Sequence, residues 1–338
     1  MGPRSLDAIP RAGLGHWPTP LERCDRLRAA LGGPEECPEL WVKREDCSGL
    51  AFGGSKVRKL DYQLGTAVDD GIEVVVTSGA LQSNHARQTA AACARLGLEC
   101  HLILYLAVDR EDQLYVEGGN RLLDDLLGAT VHPIPLGPDT FTQADAVVEA
   151  VTAGRPSLVL PAGGSDTLGS LGYVAATVEW YEQGRRAGVT FDRVVMAVST
   201  GGTYAGTLTG FKRTGSRATA LGVCVHADVE STRAPIPALL ASTAEELGLG
   251  RVADDQIELT DEFLGEGYGI PTKEMVEAIA LFARTEALLL DPVYSGKAAA
   301  GLIALIRRGE LGPDQRVLFL HTGGAPALFA YGTDVIAD

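Results

Sequence analysis

The sequence lacks the features that mark several classes of protein. Its 338 residues include six cysteines but no C-x-x-C pair, and its six histidines are too scattered for metal-ligand spacing. No G-x-G-x-x-G occurs, so the dinucleotide-binding fingerprint is missing. The first residues lack the apolar run of a signal peptide, and no run approaches the length of a membrane span. We therefore expect a cytoplasmic protein with reduced thiols, no metal site and no membrane partner.

Positive charge is also scarce. The chain has 44 acidic against 29 basic residues, a formal net charge of −15. Nucleic acid requires clustered lysine and arginine, so a nucleic-acid partner is disfavoured. A small anionic ligand in a local basic pocket remains possible on this composition.

Short apolar runs alternate along the chain with amphipathic stretches. Strand-like runs are found at 73–78, 100–106, 157–162, 193–199, 221–225 and 316–322. Helix-like stretches are found at 83–96, 118–128, 140–153, 167–187, 204–213, 272–286 and 296–308. Continuous apolar strands between helices predict an α/β protein whose parallel sheets are covered on both faces. Ligands in such sheets bind beyond the C-terminal ends of the strands, where Gly, Ser, Thr and Asn are concentrated in this sequence.

The segment GLAFGGSKVRKL at 49–60 resembles a phosphate-binding loop in composition but not in order. It reads G-x-x-x-x-G-S-K, with the last two residues of the nucleotide-binding pattern transposed. If a helix begins near Gly54, Lys59 shares a face with Lys56, and two close ammonium groups lower each other's pKa. Such an amine can attack a carbonyl. Lys56, Arg58 and Lys59 could equally form a solvated helix face.

Two strand-to-helix turns have the chemistry of ligand sites. In VSTGGTYAGTLTGF (198–211), glycines and threonines around Thr200–Thr203 can direct several N–H groups and hydroxyls at one phosphate. In TSGALQSNHARQTAAACARLG (77–97), Ser83 or Asn84 caps a helix. There Gln82 and His85 add polar groups that could hold a small carboxylate. Either turn, taken alone, could be ordinary capping.

Three further turns lie toward the C-terminus. GEGYGIP (265–271) presents Tyr268, DPVYSGK (291–297) presents Tyr294 and Ser295, and LHTGGAPALF (320–329) presents Thr322. Each hydroxyl could belong to turn chemistry alone. Hydroxyl side chains recur in several such turns, which favours a ligand that they bind together.

Together these segments resemble the pyridoxal-phosphate enzymes of the 1-aminocyclopropane-1-carboxylate (ACC) deaminase and D-cysteine desulfhydrase family. The matching segments are WPTPLERCDRL, VKREDCSGLAFGGSKVRKLDY, SGALQSNHARQTAA, STGGT, EGYGIP, DPVYSGK and HTGGAPALF, in the family's order. The resemblance implies fold type II, similar to the tryptophan synthase β subunit, with two open, mostly parallel twisted sheets. It also implies a large cofactor-binding domain at 1–53 plus 166–338, a small domain at 54–165, and a homodimer.

The resemblance also implies roles for single residues around pyridoxal 5'-phosphate. Lys56 would be the Schiff-base lysine, Lys59 with 200–203 would hold the phosphate, and Asn84 would contact the ring hydroxyl. The implied cofactor-binding residues are Lys56, Lys59, Asn84, Thr200, Gly201, Gly202, Thr203, Ser295 and Thr322. The implied catalytic residues are Lys56, Ser83, Tyr268 and Tyr294. The implied residues for a small amino-acid substrate are Gln82, Ser83, Asn84, His85, Tyr268 and Tyr294.

The sequence departs from the family pattern at three positions. Ser55 replaces the asparagine that usually precedes the lysine, and it could still cap the helix or donate a hydrogen bond. ACC deaminases carry glutamate and leucine where this chain has Ser295 and Thr322, as the D-cysteine desulfhydrase branch does. Glutamate at the pyridine nitrogen stabilises its protonated form and makes the ring a stronger electron sink, which opening a cyclopropane needs. Hydroxyls favour elimination of a good leaving group from Cβ instead.

The first prediction is therefore a D-cysteine desulfhydrase, which forms pyruvate, sulfide and ammonia. An L-cysteate sulfo-lyase shares every motif and is the nearest alternative. The sulfonate of L-cysteate would require a nearby cation such as Arg44, Arg87 or His85. ACC deamination is less favoured. A nucleotide-dependent Rossmann enzyme is the alternative outside the family, and the missing fingerprint disfavours it.

Overall fold

The computed structural model describes residues 4–336 as an α/β protein. Its strands are β1 Leu21–Arg23, β2 Glu39–Arg44, β3 Val74–Ala80, β4 Glu99–Leu106, β5 Thr130–Pro135, β6 Ser157–Leu160, β7 Arg193–Val198, β8 Thr219–Cys224, β9 Glu258–Thr260 and β10 Arg316–His321. No helix within these residues is long and apolar enough to cross a membrane.

The helices alternate with the strands along most of the chain. They are α1 Asp25–Ala30, α2 Lys56–Gln63, α3 Asn84–Leu96, α4 Gln113–Glu117, α5 Gly119–Leu126, α6 Thr140–Thr152, α7 Thr167–Arg186, α8 Gly202–Thr214, α9 Val229–Arg233, α10 Ile236–Glu246, α11 Lys273–Glu286, α12 Ser295–Arg307 and α13 Pro326–Tyr331. Short 3₁₀ turns complete the connections.

The strands form two sheets. One has the order β1–β2–β10–β7–β8–β9, and in it β1 pairs with β2 antiparallel while the other pairs are parallel. The second has the order β5–β4–β3–β6 and is parallel throughout. Its strands lie between residues 74 and 160. The predicted α/β fold with two mostly parallel sheets flanked by helices is confirmed, whereas the domain boundaries at 53/54 and 165/166 stay a prediction.

Each of the six predicted runs overlaps a strand. Five of these strands, β3, β4, β7, β8 and β10, are central in their sheets, and central parallel strands read as apolar runs because both faces are buried. The sixth, β6, is an edge strand that is only partly buried. Four further strands, β1, β2, β5 and β9, were not predicted. Burial is incomplete in β1, β5 and β9, so their sequences carry polar residues and lack that signal.

Helix α2 packs against α7 at very short range. A Cβ at Gly172 in α7 would collide with the carbonyl oxygen of Arg58 and lie 3.0 Å from the amide nitrogen of Lys59. The absent side chain lets α7 approach the backbone of α2. Gly172 therefore helps to fix the position of Lys56 and Lys59.

We predict that Gly172→Ala lowers the free energy of unfolding by about 1–3 kcal/mol, because overpacking forces the backbones apart. Chemical denaturation with and without pyridoxal phosphate measures the change. Gly312→Ala is the matched control, since a Cβ at Gly312 meets nothing within 4 Å. Equal stability of the two variants would contradict the role given to Gly172.

Candidate active site

A cavity of about 480 Å³ lies where the C-terminal ends of the two sheets face each other. It is lined at the ends of β3, β4 and β7 and in the turns after β5, β6, β8 and β10. Of the residues predicted for the site, those that line it are Lys56, Lys59, Ser83, Asn84, His85, Thr200, Gly201, Gly202, Thr203, Tyr268, Tyr294 and Thr322. Gln82 and Ser295 do not line it.

Two hydrogen bonds hold the start of α2, one to the turn after β10 and one to a side chain of α3. The amide of Ser55 donates to the carbonyl of Thr322 at 2.9 Å, and the amide of Val57 donates to the side-chain oxygen of Gln88 at 3.0 Å. The Ser55 side chain makes no capping hydrogen bond. Gln88 thus supplies the cap that sequence reasoning had allowed Ser55 to provide, and the helix begins at Lys56.

The basic residues of α2 do not form a solvated face. Arg58 is buried in ion pairs with Glu45 and Glu179, and Lys59 is fully buried. Lys56 opens into the cavity. Surrounding protein lowers the pKa of Lys56 to about 8, opposed by the charge of Asp291. Burial and, after it, the charge of Lys56 hold the pKa of Lys59 well below its usual value. Lys56 therefore lowers the pKa of Lys59, as the sequence predicted. The low pKa of Lys56 itself is due mainly to burial.

The turn at the start of α8 and the turn after β6 form a cradle for an anion. Lys59 Nζ donates to Gly163 O and to Ser165 Oγ, each at 3.0 Å. Ser165 Oγ also lies 2.6 Å from Thr200 Oγ1 and accepts from the amide of Gly202 at 3.2 Å. A Cβ at Gly202 would stand 2.9 Å from Lys59 Nζ and fill the cradle.

The electrostatics of this cradle fit a phosphate. Lys59 is a fully buried amine whose charged form a bound anion would stabilise, and the N-terminus of α8 adds partial positive charge and N–H groups. Gly201, with φ of +84°, lets the chain turn into the helix. No aspartate or glutamate from residues 4–336 lines the cavity, so an anion bound there would not be in contact with a carboxylate.

A second helix N-terminus, that of α3, faces the cavity with Ser83 and Asn84. Ser83 Oγ accepts from the amide of Ala86 at 3.2 Å, so its hydroxyl hydrogen is left to donate. Asn84 Oδ1 accepts from Arg87 and Asn120. Gln82 instead turns away, donating to the carbonyls of Tyr115 and Gly118. We therefore find no direct contribution of the Gln82 side chain to the cavity.

His85 is a neutral imidazole. The Thr77 hydroxyl donates to Leu160 O at 3.0 Å, so it accepts from His85 Nε2–H, also at 3.0 Å. Burial, followed by the charges of Lys56 and Lys59, holds the pKa of His85 well below its usual value. His85 therefore offers no positive charge to an acidic substrate.

Two tyrosines that line the cavity contact each other. The hydroxyls of Tyr268 and Tyr294 lie 2.7 Å apart, and His226 packs edge-on against Tyr268 with ring centroids at 5.0 Å. Burial raises the pKa of both phenols above their usual value. Both remain protonated, and because one donates to the other, one hydrogen is left for a ligand.

Asp291 organises the turn that carries Tyr294 and Ser295. Its carboxylate accepts from the amides of Val293, Tyr294 and Ser295 at 2.8–3.0 Å and from the Ser295 hydroxyl. Ser295 is fully buried with this hydrogen committed, whereas Thr322 lines the cavity. Thr322 Oγ1 makes no hydrogen bond within residues 4–336, so Thr322 is the better placed of the two hydroxyls for a ligand.

The two arginines considered for a sulfonate lie outside the cavity lining. Arg44 pairs with Asp46 and Glu22. Arg87 is buried behind Asn84, and its charge faces Asp124 and Asp291.

Sequence reasoning missed Asp291, Ser165, Asn120 and His226. Asp291 was findable, because an aspartate before proline at a helix start is a capping signal. Ser165 and Asn120 act through partners far along the chain, and His226 is a single residue after a strand. No local pattern marks these three.

Comparisons with known sequences agree over nearly the whole chain. The family described as Pyridoxal-phosphate dependent enzyme matches residues 13–323. A 1-aminocyclopropane-1-carboxylate deaminase of Methylobacterium nodulans is 40% identical over 97% of this chain and 98% of its own length. A D-cysteine desulfhydrase of Serratia proteamaculans is 40% identical over 98% of this chain and 99% of its own length.

Solved structures give the same result. An ACC deaminase homologue has a TM-score of 0.86 and 35% identity, covering 98% of this chain and 96% of its own. A threonine deaminase has a TM-score of 0.64 at 20% identity, covering 90% of this chain and 92% of its own, which shows a likeness of fold alone. The cofactor expected from the sequence, pyridoxal phosphate, is confirmed by the family match.

We predict that Lys59→Met weakens binding of pyridoxal phosphate by roughly tenfold to a hundredfold, the value of a hydrogen bond to a charged group. Titration of the apoprotein, followed by absorbance, measures the affinity. Binding of pyridoxal, which lacks the phosphate, should change little. The exposed Lys212→Met is the control; an equal loss for pyridoxal and its phosphate would contradict the assigned cradle.

Proposed function

The chain belongs to the family of pyridoxal-phosphate-dependent enzymes, and we propose that it eliminates the β-substituent of a cysteine-like amino acid, with D-cysteine as its substrate. The reaction converts D-cysteine and water into pyruvate, hydrogen sulfide and ammonia. Membership of this family accounts for two lysines one helical turn apart at the start of α2. It also excludes the alternative of a nucleotide-dependent Rossmann enzyme. Relatives named for ACC deamination and for D-cysteine desulfhydration are equally similar, so the substrate is argued from the cavity.

The cradle around Lys59, Thr200 and Gly202 would hold the cofactor's phosphate, and the Lys56 amine would bind the cofactor covalently. When bound, pyridoxal phosphate withdraws electrons from the α-carbon of an amino acid and so acidifies its α-hydrogen. The free N–H groups at the start of α3, with the Ser83 hydroxyl, bind the substrate carboxylate.

With the cofactor bound, the Lys56 amine would remove the α-proton of the substrate. Its pKa of about 8 makes part of the amine neutral near neutral pH, as a general base requires. Ser83, whose hydroxyl hydrogen is left to donate, lines the same cavity and assists this transfer.

The tyrosine pair supplies the proton for the leaving group. Since the pKa values of Tyr268 and Tyr294 are raised, the phenols act as donors rather than bases. The electron pair left at Cα by the lost proton forms the Cα=Cβ bond, and the C–S bond breaks with its own electron pair leaving on sulfur, which takes the proton. The aminoacrylate that is released hydrolyses to pyruvate and ammonia.

No carboxylate from residues 4–336 lines the cavity, and we base the choice of substrate on this observation. At the corner after β10, the free group is the Thr322 hydroxyl, which can donate to an unprotonated pyridine nitrogen. The nearby Asp291 is occupied by three amides and the Ser295 hydroxyl. An unprotonated ring is a weaker electron sink, sufficient for thiol elimination but not for opening a cyclopropane.

The same lining disfavours L-cysteate. A sulfonate keeps its negative charge throughout and needs a cation or several donors near Cβ. Arg44 and Arg87 are not among the lining residues of the described chain, and His85 is neutral. D-cysteine has no such requirement.

We extend the proposal to the organisation of the protein. The large domain comprises 1–53 plus 166–338 and the small domain 54–165, in a cytoplasmic homodimer. Exposed apolar side chains such as Phe52, Leu126 and Phe329 provide surface that association would cover. Light scattering of the purified protein tests the dimer.

We predict sulfide and pyruvate from D-cysteine, no sulfite from L-cysteate and no 2-oxobutyrate from ACC. Incubating the holoenzyme with each substrate, and with L-cysteine and D-serine, followed by assay of these products, checks the assignment. Lys56→Ala is the control for reactions of free cofactor. Sulfite without sulfide would replace D-cysteine by L-cysteate, and turnover of ACC would refute the argument from Thr322 and Ser295.

A further inference from the structure

The two asparagines of the chain, Asn84 and Asn120, are hydrogen-bonded to each other. Asn120 Nδ2 donates to Asn84 Oδ1 at 2.9 Å, and Arg87 donates to the same oxygen at 3.2 Å. Asn84 lines the cavity, while Asn120 and Arg87 are fully buried behind it. The side-chain oxygen of Asn84 thus faces two donors on the side away from the cavity.

These contacts determine which way the Asn84 amide points. With Oδ1 turned toward two donors, the NH₂ group is the part left for a ligand. Asn84 Nδ2 donates to no acceptor within residues 4–336. The reversed amide would place N–H groups against the N–H groups of Asn120 and Arg87, which buried donors do not tolerate.

The two donors are themselves fixed. Asn120 receives a bond from Arg87 at 2.7 Å, and its amide groups donate to the side-chain and backbone oxygens of Gln82 at 2.8 and 2.9 Å. Arg87 also donates to Gly53 O at 2.7 Å, next to the segment that carries Lys56. Gln82, which does not line the cavity, therefore supports the site through Asn120.

We propose that Asn120 and Arg87 are positioning residues that orient the Asn84 amide so that it donates to the ring oxygen of pyridoxal phosphate. A donated N–H stabilises the deprotonated form of that oxygen. The proposal rests on the placement of Asn84 against the ring oxygen, which belongs to the proposed cofactor site. It does not depend on which amino acid the enzyme consumes.

Asn120→Asp tests the orientation with an isosteric change. The carboxylate keeps an acceptor for Arg87 but sets an oxygen against Asn84 Oδ1, which favours the reversed amide. We expect the ring oxygen of the bound cofactor to be harder to deprotonate, by roughly one to two pH units. At a given pH, the visible absorption of the holoenzyme then falls and the near-ultraviolet band of the neutral-hydroxyl form rises. Asn84→Ala should change the spectrum in the same direction.

A double variant separates orientation from the added charge. If Asn120→Asp acts by reversing the Asn84 amide, it has little further effect in an Asn84→Ala background. A charge acting through space would shift the spectrum equally in both backgrounds, and that result would overturn the proposal. Gln113→Glu, the same change at an exposed position, controls for net charge and should leave the spectrum unaltered.

Asn120→Ala keeps the test decisive if Asn120→Asp fails to fold or to bind cofactor. It removes one donor and adds no charge, so we expect a smaller shift in the same direction, again absent without Asn84. An unchanged spectrum in Asn120→Ala, or in Asn84→Ala, would overturn the proposal. These spectra are recorded without substrate, so a wrong assignment of D-cysteine leaves their outcome unaffected.

Discussion

A fully buried lysine amine at the positive end of a helix is the constraint on which the site depends. Lys59 lies beside the N-terminus of α8 with Lys56 one helical turn away, and its contacts are a carbonyl and a hydroxyl. Burying a charge without a counter-ion is costly, and here the protein answers it by lowering the pKa. In the site that we propose, a phosphate dianion would supply the missing charge.

The fold makes this arrangement possible through close backbone approach. Gly172 brings α7 against α2, and Gly202 leaves room beside Lys59 Nζ. The C-terminal ends of both sheets then meet around Lys56. The cofactor can be held by one sheet's turns at its phosphate and by α3 at its ring, while the tyrosine pair closes the opposite side.

The sequence predicted the site residues that lie at strand ends or helix starts. It did not predict the residues that act on the site through a partner distant in sequence. Lys56, Asn84 and Thr200–Thr203 each follow a strand or begin a helix, so the pattern around them is readable, and the structure brings them to one cavity. Ser295 was assigned to the cofactor because of its position in a motif, but its hydroxyl is committed to Asp291. Asn120 acts on the site through Asn84, 36 positions away, and such a contact leaves no trace in local periodicity.

We propose that Lys56, and not Lys59, holds the cofactor covalently. Reduction of the holoenzyme with borohydride, digestion and mass spectrometry of the labelled peptide test it most directly. The account predicts a yellow protein that carries the reduced cofactor on Lys56. A label on Lys59, or a protein that stays colourless with added pyridoxal phosphate, would contradict it.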